Sequence, residues 1–473
     1  MERATIVLIT LIAYKFVLLG IGLWAQRRTR DASDYFLGGR QLGAVVASIS
    51  YAASSSSAWT LLGVSGAAFS MGLGAVWLLP GIVLCHVVAW FWIAPALRRM
   101  ADQRDCITLT DVIAPRGGGQ GRAAVVAVAS LIILFCFMFY VAAQFQGAGN
   151  TFAANFSISR NESIWIGGAV VLVYTLLGGF WAVSVTDALQ GLLMCIASVL
   201  LPIAAVMAVG GPDALVAGLR LVSTPDQLSW TSEHVGIMGL GFVLGMMLIG
   251  LGTFGQPQLL NRFMALKDDQ ALRRARIIAI SWFLVVLAGM LVTGWCGHLL
   301  MAEAADGESL FFQLTSELFP PLLGGIITAA VLSAIMSTAD SQLLVAASSV
   351  AYDMGLFKGH PERALLVSRI TIALLCGIAV AIAIALPASI FSRVLFAWNG
   401  LGAAFGPIVM GRILGRKIQT WALLSAMLAG FGLTAVIYSL PNTPGDIAER
   451  VIPFVTAGLI VWIGSSRRTS GRG

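Results

Sequence analysis

The sequence predicts an all-α polytopic membrane protein. Hydrophobic residues make up 58% of its 473 positions and charged residues only 11%, where a soluble domain carries roughly 25% charge. The mean hydropathy is +0.89. The apolar residues fall into runs of the length a bilayer needs, about 20 residues each. A formal charge of +7 raises the question of nucleic acid, but the basic residues sit between apolar runs and read as topology signals, so no nucleic-acid partner is expected.

Thirteen spans follow along the chain, at about 5–25, 41–70, 73–97, 123–152, 160–181, 185–209, 235–262, 276–301, 320–352, 365–387, 391–412, 418–439 and 449–466. The first ends in "AQRRTR", with positive charge after the apolar run and no small-residue cleavage site, so it is expected to be a retained helix. Basic clusters then recur at alternate connections. Arg27, Arg28, Arg30 and Arg40 precede the second span, and Arg98, Arg99, Arg104, Arg116 and Arg122 follow the third. Arg262, Lys267, Arg273, Arg274 and Arg276 come next, then Lys358 with Arg363, Arg412 with Arg416 and Lys417, and Arg467, Arg468 and Arg472. Opposite connections are acidic or nearly neutral, as in "MAEAADGESL". The positive-inside rule places the N-terminus outside and the C-terminus in the cytoplasm. One membrane domain is expected, with no room for a second soluble one.

The second span carries four consecutive serines, Ser54–Ser57, flanked by Gly63 and Gly66. Serine competes for backbone hydrogen bonds and loosens a helix. The seventh, "GLGFVLGMMLIGLGTFGQPQLLNRF", contains glycines and a proline that cost about 1 and 3 kcal/mol each against alanine. Such disruption at mid-membrane is tolerated where the backbone faces a cavity or packs closely through small residues. Two interrupted spans five helices apart relate two halves of opposite orientation, the pattern of an inverted-repeat transporter with its site between the breaks. The halves are 41–209 and 235–412, with 1–40 and 418–473 as additions.

The ninth span, "LSAIMSTADSQLL", supplies a complementary surface. At about 100° per residue, Ala334, Ser337, Thr338, Asp340 and Ser341 occupy one sector of less than half the helix. Carboxylate, hydroxyl and carbonyl oxygens on one stripe suit a hard cation. A Ser/Thr stripe that bonds its own backbone is the plainer alternative; an intramembrane carboxylate such as Asp340 favours function. Asp187, read as lying in the first turn of the sixth span, suits the positive end of the helix dipole as well as an ion. Lys15 and His86 are expected to snorkel or to find a core partner. "RGGGQGR", residues 116–122, lacks the lysine and Ser/Thr of a phosphate loop. The six cysteines contain no CxxC pair, and neither a disulfide framework nor a zinc site is indicated. The histidines are scattered, which speaks against an intramembrane enzyme, and the short tail speaks against a fused sensor.

The pieces "SDYFLGGRQLG", "AASSSSAW", "GGFWAVSVTDALQ", "GTFGQPQLLNRFMA" and "AIMSTADSQLLVAASS" together resemble the sodium/solute symporter family, most closely its sodium/proline branch. The resemblance runs over spans one to eleven. It implies a LeuT-type five-plus-five inverted-repeat core, working as a monomer in the cell membrane, with sodium as coupling ion and a small organic solute as cargo. It further implies a main sodium site at Ala53, Ser56, Ala334, Ser337 and Thr338, and a second at Asp187, Ser337, Asp340 and Ser341. The solute is implied to lie among Ser57, Trp59, Tyr140, Gln144, Thr253 and Gln256. Where the proline branch has an aspartate this chain has Ser55, and where it has aromatic rings this chain has Ile249 and Thr253. Losing those rings is expected to enlarge or repolarise the pocket, so an amino acid or a related carboxylate-bearing solute is the broader expectation. Two close buried carboxylates, Asp187 and Asp340, favour two sodium ions per solute. One ion moving through 100 mV releases about 2.3 kcal/mol, and a tenfold gradient adds about 1.4 kcal/mol, enough to concentrate a solute without ATP.

Overall fold

The computed structural model describes residues 3–26, 38–114, 121–156, 158–177, 180–301, 307–354, 361–386 and 389–467. The expectations drawn from Arg27, Arg28, Arg30, Arg116, Lys358, Arg468 and Arg472, most of "RGGGQGR" and half of "MAEAADGESL" lie outside the described residues.

Helices dominate, in the order expected. They are α1 (Arg3–Gln26), α2 (Ala44–Ser55), α3 (Val64–Met71), α4 (Leu78–Val88), α5 (Ala94–Arg104), α6 (Leu109–Ile113), α7 (Arg122–Asn155), α8 (Arg160–Leu177), α9 (Phe180–Val209) and α10 (Pro212–Val222). The second half continues with α11 (Gly236–Leu248), α12 (Pro257–Met264), α13 (Asp269–Leu300), α14 (Leu310–Leu318), α15 (Pro321–Ser348), α16 (Pro361–Ala385), α17 (Ile390–Ile413), α18 (Thr420–Tyr438) and α19 (Ile447–Ile463). A two-stranded antiparallel pair, Arg416–Ile418 with Ser465–Arg467, closes the last two helices together. Among the described residues, ten helices are long and apolar enough to cross a membrane. One of the ten is the stretch Trp59–Arg104, which joins two expected spans and breaks at Gly72, whose φ of +64° only glycine adopts cheaply.

Both interruptions fall where serine and glycine concentrate. α2 stops at Ser55; Ser56 has φ −104° and ψ 89°, and helical geometry resumes at Ala58 before a π-turn at Trp59–Gly63. In the second half α11 gives way to a 3₁₀ turn, Ile249–Gly255, and Pro257 opens α12 at a position where its missing N–H costs nothing. The outer ends of the two broken segments meet: Leu42 N–H donates to Ala265 O (3.1 Å) and Lys267 N–H to Leu42 O (3.1 Å).

α15 and α17 are almost wholly enclosed, whereas α1 and α18 turn wide apolar faces outward to lipid. α15 packs on α9, α7 and α1, α9 on α2 and α13, and α17 on the Ile249–Gly255 turn. The two breaks thus lie against the two most buried helices.

Candidate ion and solute site

The first break and α15 meet through oxygens. The Ser337 hydroxyl donates to Ala53 O (3.2 Å) and Ala334 O (3.2 Å), and the Thr338 hydroxyl approaches Ala53 O at 3.4 Å. The Ser56 N–H donates to Ala52 O (2.9 Å) and Ala53 O (3.2 Å). Ala53, Ala334, Ser337 and Thr338 are therefore brought together, with Ser56 beside them, and all five are buried. Two hydroxyls and the carbonyls of an unwound turn are hard neutral donors, which fit a sodium ion.

Asp187 sits differently from the sequence expectation. α9 begins at Phe180, so Asp187 lies two turns inside the helix, out of reach of the N-terminal dipole effect. Its Oδ2 accepts from Ser50 Oγ (2.9 Å), Ser54 Oγ (3.1 Å) and Arg262 Nη2 (2.9 Å), with Ser341 Oγ at 3.4 Å. Arg262, grouped by sequence with the basic loop residues, is 1% exposed, and Asp187 is 0% exposed. The guanidinium also donates to Ser50 Oγ (3.1 Å), Ser341 Oγ (2.5 Å) and Gln258 O (2.7 Å), and lies 5.2 Å from the centre of the Phe180 ring. Asp187 and Ser341 do come together, but Arg262 stands with them. Asp340 is fully buried, and both its oxygens lack a hydrogen-bond partner, as does Asp187 Oδ1.

Alongside lies a narrow cavity between the first break, α7, α17 and the Ile249–Gly255 turn. Ser55, Ser56, Trp59 and Thr60 supply one wall and Tyr140 another. Of the expected solute residues, Trp59 and Tyr140 line it. Ser57 and Gln144 instead hold the break: Gln144 Oε1 accepts from Ala58 N–H (3.1 Å) and Ser57 Oγ from Trp59 N–H (3.2 Å). Thr253 and Gln256 lie outside the wall, which on that side is made by Ile249 and Gly250. The Gln256 amide donates to Gly252 O (3.2 Å) and Trp398 O (3.0 Å), and Thr253 Oγ1 is buried without a partner.

Two groups in the cavity wall escaped the sequence reading. Trp398, on α17, fills the side where rings were expected to be missing; its indole N–H donates to Ile249 O (2.9 Å). It lies so close to Gly252 that a Cβ there would enter the indole, and Gly402 faces the Gly252 backbone just as tightly. The cavity is therefore not simply enlarged. His86, expected to snorkel or sit in the core, lines the cavity. Tyr51 OH lies 3.0 Å from its Nδ1, Phe283 stacks on the ring at 3.7 Å, and its Nε2 has no partner. A ring fixed on two sides with one free nitrogen is arranged to meet a ligand.

The chain matches the model of the "Sodium:solute symporter family" over residues 35–430. It is 33% identical to the high-affinity proline transporter PutP of Bacillus subtilis over 452 residues, 94% of each chain. It is also 33% identical to the sodium/proline symporter of Escherichia coli over 482 residues, 98% of this chain and 93% of that one. Its fold matches that of a sodium-coupled sialic acid symporter in a substrate-bound, outward-open state, with a TM-score of 0.78 at 18% identity over 97% and 98% of the two chains. A nucleobase-cation-symport-1 transporter in a closed conformation matches at TM-score 0.55 and 12% identity, over 92% and 96%.

Proposed function

The chain belongs to the sodium:solute symporter family, and on that premise we propose that it takes up a small carboxylate-bearing solute, an amino acid such as proline or a close relative, by sodium symport with alternating access. Sodium-coupled solute symport across the cell membrane is the family's activity, and the relatives are transporters. The observation that carries the site is the meeting of the Ala53 carbonyl, at the edge of the serine break, with the hydroxyls of Ser337 and Thr338.

Sodium is held by Ala53, Ser56, Ala334, Ser337 and Thr338. The solute lies between Trp59, Tyr140 and Trp398, beside the restart of the helix at Ala58. The positive end of that half-helix draws the carboxylate, as half-helix N-termini do for anionic groups. Because the break serves both ligands, the ion organises the backbone against which the solute docks, and each raises the affinity of the other. The repeats span 41–209 and 235–412, the N-terminus lies outside and the C-terminus in the cytoplasm, and a monomer suffices.

The test is uptake by proteoliposomes of radiolabelled L-proline and of a panel of amino acids, sugars and vitamins. Saturable accumulation that needs an inward sodium gradient supports the reading. Uptake unaffected by collapsing that gradient overturns it, and accumulation of an uncharged sugar alone overturns the carboxylate assignment.

A further inference from the structure

The region expected to hold a second sodium ion is already furnished with positive charge. Of its four expected ligands, Asp187 and Ser341 are taken up by the Arg262 guanidinium, and Ser337 donates to Ala53 O and Ala334 O. Only Asp340 is left without partners.

A second cation, supplied by α1, the helix that precedes the repeats, lies on the α15 face that carries Asp340. Lys15 lies about 18 Å from the start of α1, near the middle of the bilayer, where an ammonium group is costly unless an anion is near. Its neighbour Tyr14 bonds through OH to Ser333 Oγ (2.5 Å), and Lys15 Nζ contacts Met336 Sδ. Met336 is one turn before Asp340 on α15, and Ser333 falls on the same face at about 100° per residue. α1 therefore lays Tyr14 and Lys15 along the face that carries Asp340. The charged side chains that act on Asp340 are Asp187, Lys15 and Arg262, and the acid that acts on Lys15 is Asp340. The stem of Lys15 lies in an apolar groove with Leu11, Phe152 and Leu332, so the amine gains by turning inward to the carboxylate.

Two buried acids thus face two resident cations. A sodium ion added to this set would leave one uncompensated positive charge in a water-poor interior, the costly arrangement for buried charge. We propose that Lys15 is a tethered counter-cation for Asp340 that, together with Arg262 at Asp187, excludes a second sodium ion, so that this chain carries one sodium ion. This replaces the two-ion expectation and rests on the sodium-symport reading for the main site.

The test is equilibrium binding of radioactive sodium to the purified, detergent-solubilised chain, with sodium-dependent thermal stabilisation as a second readout. The unmodified chain should bind one ion with a Hill coefficient near one. Lys15→Met should bind two, and Lys15→Arg, which keeps the charge, should remain at one. Lys15→Met combined with Asp340→Asn should return to one, because the anion that the new ion needs is gone. A Lys15→Met chain that still binds one ion, or an unmodified chain that binds two, overturns the inference and leaves sodium symport standing. A chain that binds no sodium in any of these forms overturns both.

Discussion

Removing the Arg262 guanidinium tests whether the buried pair stabilises the transporter or merely occupies space. Both members are enclosed, at 1% and 0% exposure, and their closest atoms are 2.9 Å apart. Breaking such a pair from one side costs about 3–5 kcal/mol, because the remaining charge is stranded. Arg262→Met leaves Asp187 with the Ser50 and Ser54 hydroxyls at 2.9 and 3.1 Å, so the loss should fall near the lower end, about 3 kcal/mol. Asp187→Leu strands a guanidinium whose remaining partners are Ser50, Ser341 and Gln258 O, all uncharged, and should cost about 4 kcal/mol or more. With both changes no charge is stranded, and the cost should shrink to about 2 kcal/mol for the orphaned hydroxyls. The cycle then gives a coupling of about 5 kcal/mol, a factor of several thousand in the unfolding equilibrium constant. The assay is unfolding in mixed micelles titrated with sodium dodecyl sulfate, followed by tryptophan fluorescence and helicity, in choline buffer. Additive single losses, or an Arg262→Met chain as stable as its parent, would refute the reasoning.

Thr338→Ala should raise the sodium concentration for half-maximal uptake by at least about tenfold, the worth of one good ligand, with little change in solute affinity at saturating sodium; unchanged sodium activation removes Thr338 from the site. Thr253→Val trades a buried, partnerless hydroxyl for a methyl of the same shape and should stabilise the fold by about 1 kcal/mol while leaving the solute competition profile alone; an altered profile would put Thr253 back in the pocket. His86→Phe keeps the stack on Phe283 but removes the nitrogen that faces the cavity, so solute affinity should fall about tenfold with sodium activation intact. If both parameters fall together, His86 is packing and not a ligand.

Much of the plan was legible because it breaks a rule of membrane helices. Serines and glycines at mid-span, and a carboxylate on an apolar helix, are expensive unless used, and both breaks and the α15 stripe lie where those residues pointed. Asp187 was misplaced because the sixth span was read from about residue 185, whereas the helix begins at Phe180. Arg262 was lost among its basic neighbours. Its one signal was distance: only seven residues past Gly255, roughly 10 Å of helix, it is still inside a bilayer about 30 Å thick. Lys15, His86 and Trp398 acquire meaning only from neighbours on other elements: Met336 for Lys15, Tyr51 and Phe283 for His86, Ile249 and Gly252 for Trp398. Periodicity along one segment carries no trace of such pairings.

The contact between Gly252 and Gly402 constrains how descendants of this chain can diverge. A methyl added to Gly402 would strike the Gly252 backbone, and one added to Gly252 would enter the Trp398 indole; at Gly402 no second side-chain change makes room, since the atoms in the way are main chain. The seam between the second break and α17 is thereby closed to drift. Around it the positions are freer: Ile249 lines the cavity, and Thr253 carries a hydroxyl with no partner to lose. A lineage can repaint the walls of this pocket to suit a new nutrient while inheriting the joint beneath them intact.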